Sequence, residues 1–259
     1  MTAARLAAGA LALFLGACEV HFEGEVPEEL VSICKPVMFE NSPFTQCTAV
    51  PGMHAIGTDL APPDSDTPYR SLRALSEALP DDDIVFAANA GMFDSQGQPI
   101  GYYVEDGQRL GLLNENEGPG NFHLLPNGVF YGEERGPWRV LQTQTFGDTV
   151  DQRPDFATQS GPMLVINGEL HPAFDPDGDS RKIRNSVGVD AAGRAHFIIT
   201  EAPVSFGKLA RYYRDVLNCE NALFLDGSVS AIWDVPNSRL DTGAPIGPVL
   251  VVRTTESKE

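Results

Sequence analysis

The sequence predicts an α+β fold: mixed or antiparallel sheets with a few flanking helices, in a single domain. Three observations predict it. Among 259 residues, 25 glycines and 20 prolines punctuate the chain at short intervals, which favours turns and short strands over a helical bundle. Brief apolar runs bounded by Gly, Asn, Asp and Pro recur along its length, while only two segments carry a helical apolar stripe. Regular βαβ alternation is absent, so a doubly wound parallel sheet is not expected.

The elements follow in order. Residues 1–17 read as a secretory signal, with Arg5 ahead of an apolar run from Leu6 to Leu15 and small residues after it. That run is short of the ~20 residues a membrane span needs. Leu15-Gly16-Ala17-Cys18 resembles a bacterial lipobox, which predicts lipidation of Cys18 and a chain exported to the cell envelope. Glu19 after the cysteine points to the outer membrane, periplasmic side. Residues 18–30 are the lipidated cysteine and an acidic tether, and 31–259 form the domain. Two extended segments around Cys34 and Cys47, joined by a turn at ENSP, predict a disulfide across a hairpin. Cys219 precedes an apolar run and reads as a buried thiol. A first helix is expected from Thr67-Pro68, with Leu72, Leu75 and Leu79 as its stripe and Pro80 as its stop. A second starts at Ser205 and places Phe206, Leu209, Ala210, Tyr213, Val216 and Leu217 on one face. Strands are expected over 84–88, 100–105, 128–131, 138–142, 162–166, 195–200, 222–225 and 249–253.

Charge excludes several functions. Lys and Arg number 18 against 36 Asp and Glu, a net charge of −18. Such a field repels nucleic acid and anionic lipid, so no nucleic-acid partner is expected, and membrane contact is left to the lipid anchor. An anionic substrate would have to be caught by locally placed cations. The sequence has no P-loop, GxGxxG, HExxH or GxSxG motif and no Cys/His cluster, so no cofactor and no metal are expected. Asp175-Pro176-Asp177-Gly178-Asp179-Ser180 alternates carboxylates as calcium loops do, but lacks their terminal glutamate and reads as an acidic turn.

Chemistry concentrates instead in polar-plus-glycine clusters that abut apolar strands. They are Asn89-Ala90-Gly91 after IVFAA, Glu105 in GYYVEDG, Gly118-Pro119-Gly120-Asn121, Ser160-Gly161-Pro162, Arg184-Asn185-Ser186-Val187-Gly188, and Asp226-Gly227-Ser228 after NALFL. Taken singly, each has an ordinary reading: Asn-Gly and Asp-Gly are turn dipeptides, and an arginine before a strand is a paired surface charge. Asp226 is harder to dismiss, because a carboxylate behind the apolar run 222–225 is costly unless it is paired or used.

Together, NAGMF, PIGYYVEDG, GPGNFHLLPNGVFYG, ATQSGPMLVINGELHPAF, RNSVGVD and NALFLDGSVSAIW resemble, in this order, the bacterial branch of the phosphodiester glycosidase family. That family is related to the lysosomal uncovering enzyme. The resemblance covers residues 31–253. It places the family's Asn-x-Gly block on Asn89 and Gly91, its Arg-x-x-x-Gly block on Arg184 and Gly188, and its Leu-Asp-Gly block on Leu225, Asp226 and Gly227. Two departures stand out: the run of glycines after the aspartate is here only Gly227-Ser228, and Arg-Thr is here Arg184-Asn185.

The resemblance implies a hydrolase that cleaves N-acetylglucosamine-like phosphodiesters in envelope or extracellular glycans. Its substrate carries one negative charge, and its leaving group, a phosphate monoester, departs as a stable anion with less need of protonation than an ordinary alcohol. Such a site needs a cation for the phosphate and a carboxylate for the oxocarbenium-like centre or for water. Arg184 suits the first task through its planar fork, Asp226 the second, and Glu105 is the expected partner carboxylate. Asn89, Gly91, Asn121, Ser160, Gly161, Asn185, Gly227 and Ser228 are the expected substrate-binding set. The rival readings are a polysaccharide-binding lipoprotein without catalysis and a glycosidase acting on uncharged linkages.

Overall fold

The computed structural model describes residues 30–80 and 83–255. The signal segment and Cys18 lie outside the described residues. Among the described residues, seventeen strands form three sheets in which every neighbouring pair runs antiparallel. The first sheet runs in the order Cys34–Phe39, Ser42–Ala49, Ala195–Thr200, Asn185–Asp190, Cys219–Phe224, Met163–Ile166, Glu169–Leu170. The second is Arg239–Leu240, Ile232–Asp234, Ile84–Asn89, Val249–Thr254, His54–Asp59, and the third Gln108–Gly111, Tyr103–Glu105, Phe156–Ser160, Gly128–Gly132, Trp138–Gln142.

One core lies between the three sheets. Phe86 comes from the second sheet, Phe197 and Val187 from the first, and Phe130 and Phe156 from the third, all nearly or wholly buried. Their rings meet edge to face: Phe86 and Phe197 at 5.0 Å, Phe130 and Phe156 at 5.3 Å, Phe130 and Phe197 at 5.8 Å. Such pairs contribute ~0.5–1.5 kcal/mol each beyond the area they bury. Each sheet then carries one helix on its outer face. Helix α1 (Leu72–Ala78) buries Leu72 and Leu75 against the second sheet, and α2 (Thr143–Thr149) buries Phe146 on the third beside Tyr102 and Tyr131. Helix α3 (Phe206–Arg211), prolonged by a π turn over Tyr212–Val216, packs Leu209, Ala210 and Tyr213 on the first.

The α+β expectation therefore holds, with its sheets antiparallel throughout. The hairpin between Cys34–Phe39 and Ser42–Ala49 turns through Glu40 and Asn41, both at positive φ (43° and 60°), the geometry of a tight two-residue hairpin loop. Its register sets Cys34 opposite Cys47, and the two are disulfide-bonded. Cys219 is a buried free thiol whose pKa burial pushes up to about 12.

Three expectations need correction. Helix α1 begins not at Thr67-Pro68 but after Ser71, whose hydroxyl accepts from Ala74 N at 3.1 Å. Arg70 is the reason: its φ of 61° is left-handed, so no helix can run through it. Helix α2 was not expected, because TQTFGD shows a single large apolar residue. RNSVGVD, which reads as a polar cluster, is a central strand, Asn185–Asp190, paired on both sides.

Candidate functional site

Strand ends from all three sheets meet at one junction. Asn89 closes Ile84–Asn89, Asn185 opens Asn185–Asp190, Asp226 lies just beyond Cys219–Phe224, and Thr158 and Ser160 belong to Phe156–Ser160. The backbone ties them first: Asp226 N donates to Ala90 O and Leu225 N to Asn185 O, each at 3.1 Å. Side-chain amides complete the knot. Asn89 Nδ2 donates to Asp226 O at 2.7 Å, Asn89 Oδ1 accepts from Ala231 N at 2.9 Å, and Asn185 Nδ2 donates to Asn89 O at 2.8 Å. Asn89 thus clamps both ends of the loop that carries Asp226, Gly227 and Ser228.

Gly91 must be glycine. Its N donates to Thr158 Oγ1 at 3.0 Å, and an added Cβ would overlap the Gln159 carbonyl oxygen and sit 2.6 Å from Thr158 Oγ1. Gly161 is held as closely, since a Cβ there would stand 2.6 Å from Asn127 Cβ and 2.8 Å from Phe122 O. Gly227 packs on Phe224 and on the Arg184 backbone, where a Cβ would come within 2.6 Å and 3.1 Å. Two buried polar atoms in this region have no hydrogen-bond partner: Asn185 Oδ1 and Ser160 Oγ. Such atoms are what a water or a ligand hydroxyl would satisfy. Beside the clamped loop, Gly227, Ser230 and Ala231 line a cavity of about 260 Å³ walled opposite by Asp241, Thr242 and Gly243.

The expected residues fare differently. Asn89, Gly91, Asn185, Asp226 and Gly227 are brought together, but Asn89 has both ends of its amide committed to the backbone and holds the loop rather than presenting a free group. Arg184 is also not the open fork that was expected. Its side chain is buried, with Nε donating to Val204 O at 2.9 Å and Nη2 to Ser180 O at 2.7 Å. Its guanidinium lies 3.5 Å over the Phe206 ring, which stacks on Phe174 and through it on His171. Burial lowers its pKa to about 10, so it stays cationic at neutral pH. Strand alternation explains the placement: Arg184 points to the helical side of the first sheet and Asn185 to the core side. Asn121 is exposed at the start of a 3-10 turn, Asn121–His123.

Glu105 is not brought to this junction as expected. It lines a separate cavity of about 420 Å³ with Asp59, Tyr69 and Arg253, and its Oε2 accepts from Tyr103 Oη at 2.7 Å. Desolvation raises its pKa, and together with Glu105 it pushes Asp59 up to about 7. Sequence reasoning also missed two groups at the junction's edge. Thr158 is one; alternation within ATQS could have flagged it. The other is Arg70, which lies 5.1 Å over the Phe93 ring with Nη1 buried and unpartnered.

Three antiparallel sheets around one core, with a carboxylate-bearing loop clamped where they meet, define an α+β protein built to present that loop. The model of one family, described as phosphodiester glycosidase, matches residues 82–253, and the chain belongs to that family. It is 38% identical over 152 residues to the Escherichia coli K12 protein described as "Uncharacterized protein YigE". The match spans 58% of this chain and 58% of the length of that relative. The fold resembles the catalytic domain of zebrafish N-acetylglucosamine-1-phosphodiester alpha-N-acetylglucosaminidase, described as auto-inhibited by its pro-peptide. The TM-score is 0.58 at 15% identity, covering 86% of this chain and 82% of that one. A hypothetical protein from Synechocystis is also similar, with a TM-score of 0.51 at 14% identity over 86% of this chain and 61% of the other.

Proposed function

We propose that the chain hydrolyses glycosyl phosphodiesters, of the N-acetylglucosamine-1-phosphodiester kind, in glycans of the cell envelope. The observation that carries this reading is the clamped loop: within the family-matched residues, Asn89 fixes both Asp226 O and Ala231 N beside an open cavity. In the proposed reaction the bond between the anomeric carbon and the phosphate oxygen breaks, and its electron pair leaves with the phosphate monoester. A water oxygen bonds to the anomeric carbon, and its proton passes to the Asp226 carboxylate or to the departing phosphate. Asp226 thereby acts at the sugar carbon. Arg184 braces the strand behind Gly227 and adds a positive charge favourable to an anionic substrate, instead of gripping the phosphate from an open surface.

The envelope setting rests on Leu15-Gly16-Ala17-Cys18. Replacing Cys18 by serine should release the protein from membranes, and unchanged membrane association would contradict lipid anchoring. The activity is tested by incubating purified protein with an N-acetylglucosamine α-phosphodiester. Release of free sugar supports the reading; saturable binding without release supports a glycan-binding protein instead.

A further inference from the structure

Arg184 directs Nε and Nη2 to Val204 O and Ser180 O, so the substrate's phosphate is left to be recognised elsewhere. The chain carries a net charge of −18, and an anion meets repulsion unless a cation stands near the clamped loop. Two arginines on the segment leading into α1, Arg70 and Arg73, meet that need; both precede the family-matched residues 82–253. Arg70 is held in a left-handed backbone, at a φ of 61°, and is partly buried. Its guanidinium lies 5.1 Å over the Phe93 ring, and Nη1 is buried with no hydrogen-bond partner. Gly97 makes room for it, since a Cβ there would overlap Nη1. Asp94, the carboxylate of the same turn, accepts from Gln96 N and Gln98 N instead. A guanidinium N–H without an acceptor is costly, and a bound anion is the acceptor it lacks.

Residues 246–248 tie this arginine to the clamped loop. Ile246 N donates to Arg70 O at 3.0 Å, Gly247 packs on the Phe93 ring, and Pro248 O accepts from Ala90 N at 2.8 Å, while Ala90 O accepts from Asp226 N. Arg73 adds an independent observation. It is exposed and lines a cavity of about 140 Å³, which shares Ala231 and residues 241–244 with the cavity beside Gly227 and Ser230. The carboxylate in that shared wall, Asp241, is already bonded by Arg239 Nε and Nη2 and by Ile232 N. Among the described residues neither Arg70 nor Arg73 forms an ion pair. We propose that Arg70, assisted by Arg73, is the anion subsite that recognises the substrate's phosphate and selects charged phosphodiesters over neutral glycosides.

The subsite rests on the phosphodiester reading, but its first test needs no turnover. Phosphorus NMR titration with methyl phosphate, which carries no sugar, should show saturable binding that weakens as salt is raised. Arg70→Gly, which tolerates the left-handed backbone and removes the cation, should weaken that binding ~tenfold or more. Arg70→Lys, with the charge but not the planar fork, and Arg73→Ala should each weaken it a few-fold. On an N-acetylglucosamine α-phosphodiester, Arg70→Gly should raise KM by a similar factor, because the phosphate is held in ground and transition state alike. Circular dichroism should be unchanged in all three variants, and should Arg70→Gly lose its fold, Arg70→Lys and Arg73→Ala decide the matter. Methyl phosphate bound through Arg70 without any sugar release would end the hydrolytic reading and leave the subsite standing. Absent methyl phosphate binding, binding indifferent to these variants, or sugar release by Arg70→Gly with the parent's KM would overturn the subsite and leave hydrolysis standing. A lower kcat with KM and methyl phosphate affinity unchanged would make Arg70 a support for the Phe93 turn and overturn it equally.

Discussion

Replacing Asp59 by asparagine should stabilise the protein, and the gain should grow with pH. In the folded chain burial, reinforced by Glu105, raises the Asp59 pKa from 3.8 to about 7. Between those values the folded state holds a proton that the unfolded state has released. Stability therefore falls as pH rises from about 4 to about 7, and the loss is complete above the folded value. A rise of this size corresponds to ~4 kcal/mol if fully expressed. Asp59 is partly exposed, and solvent screening reduces this to ~1–2 kcal/mol. Asparagine keeps the shape and never ionises, so the variant avoids the penalty. For a domain of this size each kcal/mol moves Tm by ~2–4 °C. Thermal unfolding followed by circular dichroism should show Asp59→Asn melting ~2–8 °C above the parent at pH 8 and close to it at pH 4. An equal shift at both pH values, or a lower Tm at pH 8, would refute the assignment of a strained ionised carboxylate.

Other outcomes follow from the junction and the hairpin. Gly91→Ala should cost ~1–3 kcal/mol, because its Cβ meets the Gln159 backbone and the strand must move; urea unfolding measures it. Reduction of Cys34–Cys47, which closes a short loop of sequence separation 13, should cost ~2–3 kcal/mol, read as a Tm loss that Cys34→Ser reproduces without reductant. Asp226→Asn should remove sugar release, while Arg184→Lys, which keeps the charge but cannot make both backbone bonds, should lower it by ~10–100-fold. Retained activity in Asp226→Asn would show that another group acts at the sugar carbon.

How much was legible depends on how local each cause is. The hairpin and its disulfide were readable because both cysteines lie on adjacent strands of one turn. The second helix was readable because Ser205 caps an apolar face, its hydroxyl accepting from Lys208 N, although Val216, expected on that face, is exposed at the end of the π turn. The first helix was misplaced because nothing in Tyr69-Arg70-Ser71 announces a left-handed arginine; Ile246 N, which bonds to Arg70 O, lies far along the chain. The same distance separates what was read at the site from what was not. Motif resemblance selected Asn89 and Asp226, and the polar cluster after Arg184 added Asn185; the sheets bring all three together. The resemblance could not say that the Asn89 amide would be consumed by the loop it supports. Nor could it say that strand alternation would turn Arg184 toward Phe206, or that Glu105 would face Asp59. Those facts are set by which sheet face each residue occupies, and strand pairing between distant segments decides the face.

The central claim is cleavage at the sugar carbon, and the position of a labelled oxygen tests it most directly. The protein is incubated in water enriched in oxygen-18 with an N-acetylglucosamine α-phosphodiester, and the phosphate monoester product is examined by mass spectrometry. Attack at the anomeric carbon leaves every phosphate oxygen unlabelled, and that is the result expected here. Label in the phosphate would show attack at phosphorus, making the protein a phosphodiesterase and contradicting the role given to Asp226.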